Sequence, residues 1–254
     1  MTGEFDIIKG MAILVVIFTH TILYKYDTFD DLQAFENAYI LLLKPLSIVM
    51  PIFFFIAGYF AYKSFLRKKS ASAFILSRMK FILPPYLIWS TVYTIIQTVV
   101  MNSMGVAGEH FTAFEIVEKY LTGDVVFEFY FLFLLIFFYI LTPHLSLLDI
   151  KPLKKLSLFF FITGIIFCFI FYIPLYFGKI FIPLKVLYRN PFIWAFFYIW
   201  GIYVSRNYKV IGPFWRKKPG VLLLLFFSLT YIGAILELFF LPERYKFLPG
   251  SILF

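Results

Sequence analysis

Cysteine is nearly absent from this chain of 254 residues. The one copy, Cys168, lies inside an apolar run, so neither a disulfide nor a thiolate metal site is available. Charge is almost as scarce. Asp, Glu, Lys and Arg make up 15% of the residues and gather in short clusters, which excludes an ordinary soluble domain with charge spread along its length. Acids number 14 against 23 bases, for a net charge of +9. An excess of that size often marks a nucleic-acid binder. Here the bases sit between apolar runs, a placement that suits a membrane surface and argues against nucleic acid as a partner. The first apolar run also lacks the basic start and small-residue cleavage site of a secretory signal, so it is expected to remain as a span.

What the chain has in abundance is apolar surface: 62% hydrophobic residues, 37 Phe, 18 Tyr and a mean hydropathy of +0.90. Backbone groups in lipid must be satisfied within their own segment, so runs of this length read as helices rather than strands. The expected fold class is therefore all-α, a polytopic transmembrane helical bundle. Spans are expected near Phe5–Tyr24, Pro45–Tyr62, Phe81–Met101, Val125–Leu148, Leu156–Phe177, Pro191–Ser205 and Val221–Phe240. Most approach the roughly 20 residues that cross a hydrocarbon core. The closing "FLPGSILF" reads as a turn and the start of another span, giving about seven to eight spans in a single domain over 1–254 that lacks its last ones.

Connecting segments set the orientation. Lys63, Arg67, Lys68, Lys69, Arg78 and Lys80 separate spans two and three, Lys151, Lys154 and Lys155 spans four and five, and Arg206, Lys209, Arg216, Lys217 and Lys218 spans six and seven. The alternate connections carry Asp27, Asp30, Asp31 and Glu36, then Glu109, Glu115, Glu118 and Asp124. Basic loops stay cytoplasmic, which puts the N-terminus inside. Lys179, Lys185 and Arg189 break the pattern, marking either a miscounted span or an outward anion site.

Charge at membrane depth costs several kcal/mol and is a functional candidate by default. In the first span, "DIIKGMAILVVIFTH", Lys9 and His20 are eleven residues apart. On a helix they differ by about 20° in direction and roughly 17 Å in height, and Asp6 lies within about 60° of the same stripe. One reading makes Lys9 a snorkelling inner anchor and His20 an outer-interface residue. The other makes His20 a general base, since a neutral imidazole suits proton abstraction near pH 7. It would free an acceptor oxygen to attack a thioester directly, as no adjacent Ser or Cys forms a nucleophile motif.

Similar pairs of readings apply elsewhere. In "SRMKFILPPYLIWS" Arg78 and Lys80 precede Pro84-Pro85, which stop one helical register and start the third span. They are either positive-inside anchors or a phosphate clamp. The Lys63–Lys69 cluster fits phosphate or anionic lipid headgroups equally. In "PIFFFIAGYF" Pro51 and Gly58 suit a kink and close helix packing. Glu128, in "FEFYFL", is a solvated interface acid, an orienter of His20 or a contact for a sugar hydroxyl; Glu237 is similarly ambiguous.

Together these stretches resemble the membrane acyltransferase-3 family, bacterial O-acyltransferases of surface glycans. The family's first span carries an Asp, a basic residue, ten residues and a histidine; Asp6, Lys9 and His20 match, with Lys where Arg is usual. "PIFFFIAGYF" is similar to the second-span phrase, with Ala57 where Ser is common. "RMKFILPPYLIWS" is similar to the third at Arg78, Lys80, Pro85, Tyr86 and Trp89, with Phe81 replacing a further base. "FEFYFLFLLIFFYILTP" looks like the fourth, with Glu128 where His or Gln is frequent. "PFIWAFFYIWGIYVS" fits the aromatic, Gly-containing sixth span. The likeness covers nearly the whole chain in order.

The resemblance implies a cell-membrane enzyme moving an acetyl or similar acyl group from cytosolic acyl-CoA to a glycan or lipid-linked glycan. No permanently bound cofactor or metal is expected. It implies His20 as catalytic base with Asp6 and Glu128 assisting, and Lys9, Arg78 and Lys80 as the acyl-CoA-binding residues. Two rivals stand beside it: an exporter or flippase for a polymer or lipid-linked sugar, and a non-catalytic subunit of a synthase. A transporter would be expected to show internal repeats and broken helices. No convincing repeat is visible, though Pro51, Pro174 and Pro191 are potential breaks.

Overall fold

The computed structural model describes residues 9–18, 49–103, 112–167, 170 and 189–217. Among them there is no strand. The helices are α1 (Lys9–Phe18), α2 (Val49–Lys68), α3 (Ala71–Ser103), α4 (Ala113–Thr122), α5 (Tyr130–Leu147), α6 (Ile150–Phe167), α7 (Pro191–Arg206) and α8 (Tyr208–Lys217), with a 3₁₀ turn at Phe127–Phe129 before α5. Three are long and apolar enough to cross a membrane: Val49–Lys68, Ala71–Val100 within α3, and Tyr130–Leu147. The described residues fall into two compact units, one from the segments Met1–Phe60 and Asp149–Phe254, the other from Ala61–Leu148.

In the first unit the aromatic phrases of α2 and α7 pack on each other. Phe54, Tyr59, Trp194, Tyr198 and Ile202 are buried there, and the Phe54 and Trp194 rings lie 5.3 Å apart. The approach depends on two glycines. A Cβ on Gly58 would run into the Tyr198 carbonyl, and one on Gly201 would meet the Phe55 carbonyl and come within 2.9 Å of the Tyr59 nitrogen. Small residues let membrane helices come this close, so the packing expected of Gly58 is found, with Gly201 as its counterpart. Helix α7 begins as its sequence dictates: Asn190 accepts from the Phe192 N–H at 2.9 Å, and Pro191 takes the first turn, where no donor is needed. It runs beside α6 through the pairs Phe160–Phe192 (5.7 Å) and Phe161–Phe196 (4.9 Å).

In the second unit α3 and α5 are antiparallel. Phe74 near the start of α3 meets Tyr139 (6.1 Å), whereas Tyr86 and Tyr93 further along meet Phe129 (5.6 and 5.9 Å). The link from α2 to α3 is only Lys69 and Ser70. Lys69 adopts a left-handed φ of 57° while its N–H bonds the Phe65 carbonyl at 3.0 Å, and the Ser70 hydroxyl faces the Ala73 N–H at 3.5 Å.

Three sequence expectations change here. The third span does not start at Phe81: α3 is continuous from Ala71 through Pro84 and Pro85. Two prolines remove two N–H donors and would normally end a helix. On either side of them Phe74 packs on Tyr139 of α5 and Tyr86 on Phe129 in the 3₁₀ turn before it, which holds both halves in line. The basic segment is consequently not a loop. Lys63, Arg67 and Lys68 belong to α2, Arg78 and Lys80 to α3, and Lys151, Lys154 and Lys155 to the first two turns of α6. Finally, the acidic connection before α5 contains a helix of its own, α4. Thr112 and Glu115 form a reciprocal capping box at its start, and Gly123, at φ 70°, closes its end. The expected seventh span and the segment 178–188 lie outside the described residues.

Candidate functional site

The most informative side chain is Arg78, on α3. Its guanidinium carbon lies 5.3 Å from the Tyr139 ring centroid and 5.5 Å from that of Phe74, so both rings offer their electron-rich faces. The two rings themselves meet edge to face, at 87°. Arg78 Nε is buried and has no hydrogen-bond partner, and among the described residues no carboxylate pairs with the guanidinium. A snorkelling anchor would carry its head to water. The Arg78 head instead lies against Tyr139, the tenth of the eighteen residues of α5. Level with it, the charge is recessed about 12–14 Å along the axis from either end of a helix able to cross a membrane. Arginine carries five donors in a rigid fork, the geometry that carboxylate and phosphate oxygens match.

Lys80 lies two residues on, about 200° around the helix, and is exposed. The two bases therefore leave α3 on nearly opposite faces and do not form one clamp by themselves. Glu128 is half-buried in the 3₁₀ turn at the head of α5. Eleven residues, roughly 16 Å along the helix, separate it from the level of Arg78. The antiparallel pairing thus holds Arg78 and Glu128 far apart.

In the first unit Lys9 opens α1, with its ammonium 4.4 Å from the Phe60 ring centroid. Asp6 and His20 lie outside the described residues. The helix that would place them on one stripe with Lys9 is present from Lys9 to Phe18.

Sequence reasoning missed Phe74 and Tyr139. Tyr139 falls within the quoted fourth-span phrase but was not singled out, and its distance from Arg78 in the chain leaves no local signal. It also missed the buried hydroxyls of Ser90, Ser146, Ser157 and Ser205, which find no partner among the described residues. Outside the spans, Glu115 is held below its ordinary value of 4.5, first by the Thr112 N–H it accepts at 2.7 Å and then by the Thr112 hydroxyl at 2.9 Å.

Three apolar helices long enough to cross a membrane, with an arginine that meets two aromatic rings and no carboxylate among the described residues, make up the framework of a membrane protein. The family model described as "Acyltransferase domain" matches residues 2–254, and the chain belongs to this acyltransferase-3 family of membrane acyltransferases. No curated protein and no solved structure matches it.

Proposed function

We propose that the chain is an integral-membrane O-acyltransferase of the bacterial cytoplasmic membrane, with its N-terminus inside and seven to eight spans. It moves an acetyl or similar short acyl group from cytosolic acyl-CoA to a hydroxyl of a cell-surface or lipid-linked glycan. The observation that supports this best is Arg78, a half-buried arginine whose Nε is buried without a hydrogen-bond partner and which has no carboxylate beside it among the described residues. CoA offers phosphates to such a donor, and a thioester to the membrane interior. Lys9 and Lys80 are the further donor-binding residues.

In the reaction, His20 removes the proton of the acceptor hydroxyl and the oxygen attacks the thioester carbonyl. The tetrahedral intermediate collapses with cleavage of the C–S bond. The CoA sulfur leaves and takes the proton back from the imidazolium, so the base is regenerated. Asp6 stabilises the imidazolium, and Glu128 serves the acceptor hydroxyl or the orientation of the ring. The test is binding: CoA or acetyl-CoA is expected to raise the thermal midpoint of the purified protein, and Arg78→Glu to weaken that effect. Stabilisation identical in the variant would remove Arg78 from the donor site.

A further inference from the structure

Helix α4 divides into three sectors around its axis. Ile116 and Tyr120 turn toward the rest of their unit and are half-buried. Glu115, Glu118 and Thr122 occupy a second arc of about 60°. Phe114, Val117 and Leu121 occupy the third, also about 60° wide, and are 77%, 54% and 70% exposed. Three large apolar side chains in one stripe, on a helix with no buried residue, have no folded partner among the described residues.

The position of α4 says what covers them. The Tyr86 hydroxyl donates to the Tyr120 carbonyl, and the Tyr120 hydroxyl donates to Thr91 Oγ1 at 3.2 Å. Both anchors lie within Ala71–Val100, one of the three membrane-crossing candidates, whose Leu87, Ile88, Trp89 and Ile95 are themselves exposed. On its other side α4 passes through Gly123 and the 3₁₀ turn straight into Tyr130, where the apolar run of α5 begins. The exposed stripe therefore belongs to a helix held at the level where α5 begins, beside a span whose own exposed side chains are apolar. Ten residues cannot cross a hydrocarbon core. An acidic arc cannot sit in lipid and an apolar stripe of this size is poorly placed in water, so only the boundary satisfies both.

We infer that α4 is an interfacial helix lying in the membrane surface, with Phe114, Val117 and Leu121 in the upper acyl region and Glu115 and Glu118 among headgroups and water. It fixes the height of the α3–α5 pair in the bilayer through Tyr86 and Tyr120. The inference does not depend on acyl transfer.

Spin labels on single cysteines, introduced one at a time into the full chain carrying Cys168→Ser and reconstituted in phosphatidylethanolamine–phosphatidylglycerol vesicles, test it. Positions 114, 117 and 121 are expected to collide several-fold more with oxygen than with a water-soluble nickel complex, and positions 115 and 118 to show the reverse. Nickel access at all five positions would overturn the inference in favour of a water-exposed helix. Immobile labels at 114, 117 and 121, shielded from both reagents, would overturn it in favour of a protein partner or a second copy. The side chains at 114, 117, 118 and 121 are exposed, so labels there leave the fold intact, which retention of the unlabelled protein's thermal midpoint checks; Glu115 belongs to the capping box, so position 118 carries the polar arm of the test wherever the 115 label lowers that midpoint.

Discussion

Arg78 lies against the ring of Tyr139 at 5.3 Å, halfway along a helix long enough to cross a membrane. The relationship is one of substitution. Where a half-buried guanidinium often has a carboxylate, this one has two aromatic faces and no carboxylate among the described residues, so its positive charge is held in place without being neutralised. An ion pair would have neutralised that charge and engaged its donors.

Removing one ring should therefore loosen the donor site while leaving the chemistry alone. Tyr139→Leu is expected to raise the KM for acyl-CoA by about 2- to 30-fold, the equivalent of about 0.5–2 kcal/mol for a cation–π contact, with kcat little changed. Tyr139→Phe keeps the ring and should stay near wild type. Steady-state kinetics on membranes separate the two; equal KM values for Leu and Phe would show that the ring face does not matter.

The glycine contact gives a prediction about stability. Gly201→Ala places a methyl against the Phe55 carbonyl and 2.9 Å from the Tyr59 nitrogen, backbone atoms that cannot swing aside. Overpacking of this kind costs about 1–3 kcal/mol, so the thermal midpoint in detergent should fall. Gly10→Ala is the control, since nothing lies within 4 Å of its added carbon; its midpoint should hold or rise.

Helix α4 should respond to pH through its cap. Glu115 is held below its ordinary 4.5 by the Thr112 backbone and hydroxyl bonds. A carboxyl with a lowered folded value contributes stability that is fully present above the ordinary value and lost as pH falls through the lowered one. Mobility of a spin label at Val117 should accordingly rise on acidification from pH 6 to below 4. Glu115→Gln should start more mobile and change less across the same range. Thr112→Ala, which removes the hydroxyl that caps the Glu115 N–H at 3.2 Å, should weaken the helix by about 1 kcal/mol at neutral pH.

These features differ in how far the sequence announced them. The start of α7 was legible because Asn190-Pro191 is a local signal, a cap followed by a residue that needs no donor. The start of α3 was not. Pro84-Pro85 reads locally as a break, and the contacts that override it join Phe74 to Tyr139 and Tyr86 to Phe129, more than forty residues away in each case. Helix α4 was hidden because its acids read as a loop, although the Thr112–Glu115 spacing of a capping box was there to be read. Gly58 was expected to permit close packing, but only the fold names Gly201 as its opposite. For Arg78 the sequence offered an anchor and a phosphate clamp with Lys80; its aromatic neighbours were not legible, because Tyr139 is sixty-one residues away in the chain.

The most direct test follows labelled acetyl from acetyl-CoA into glycan, using membranes that contain either the wild-type chain or His20→Ala. The wild type is expected to label the glycan. The variant is expected to label none while CoA still raises its thermal midpoint, placing the defect in proton transfer and not in donor binding. Undiminished labelling by His20→Ala would contradict the catalytic assignment, and a wild type that neither transfers acetyl nor responds to CoA would contradict the account as a whole.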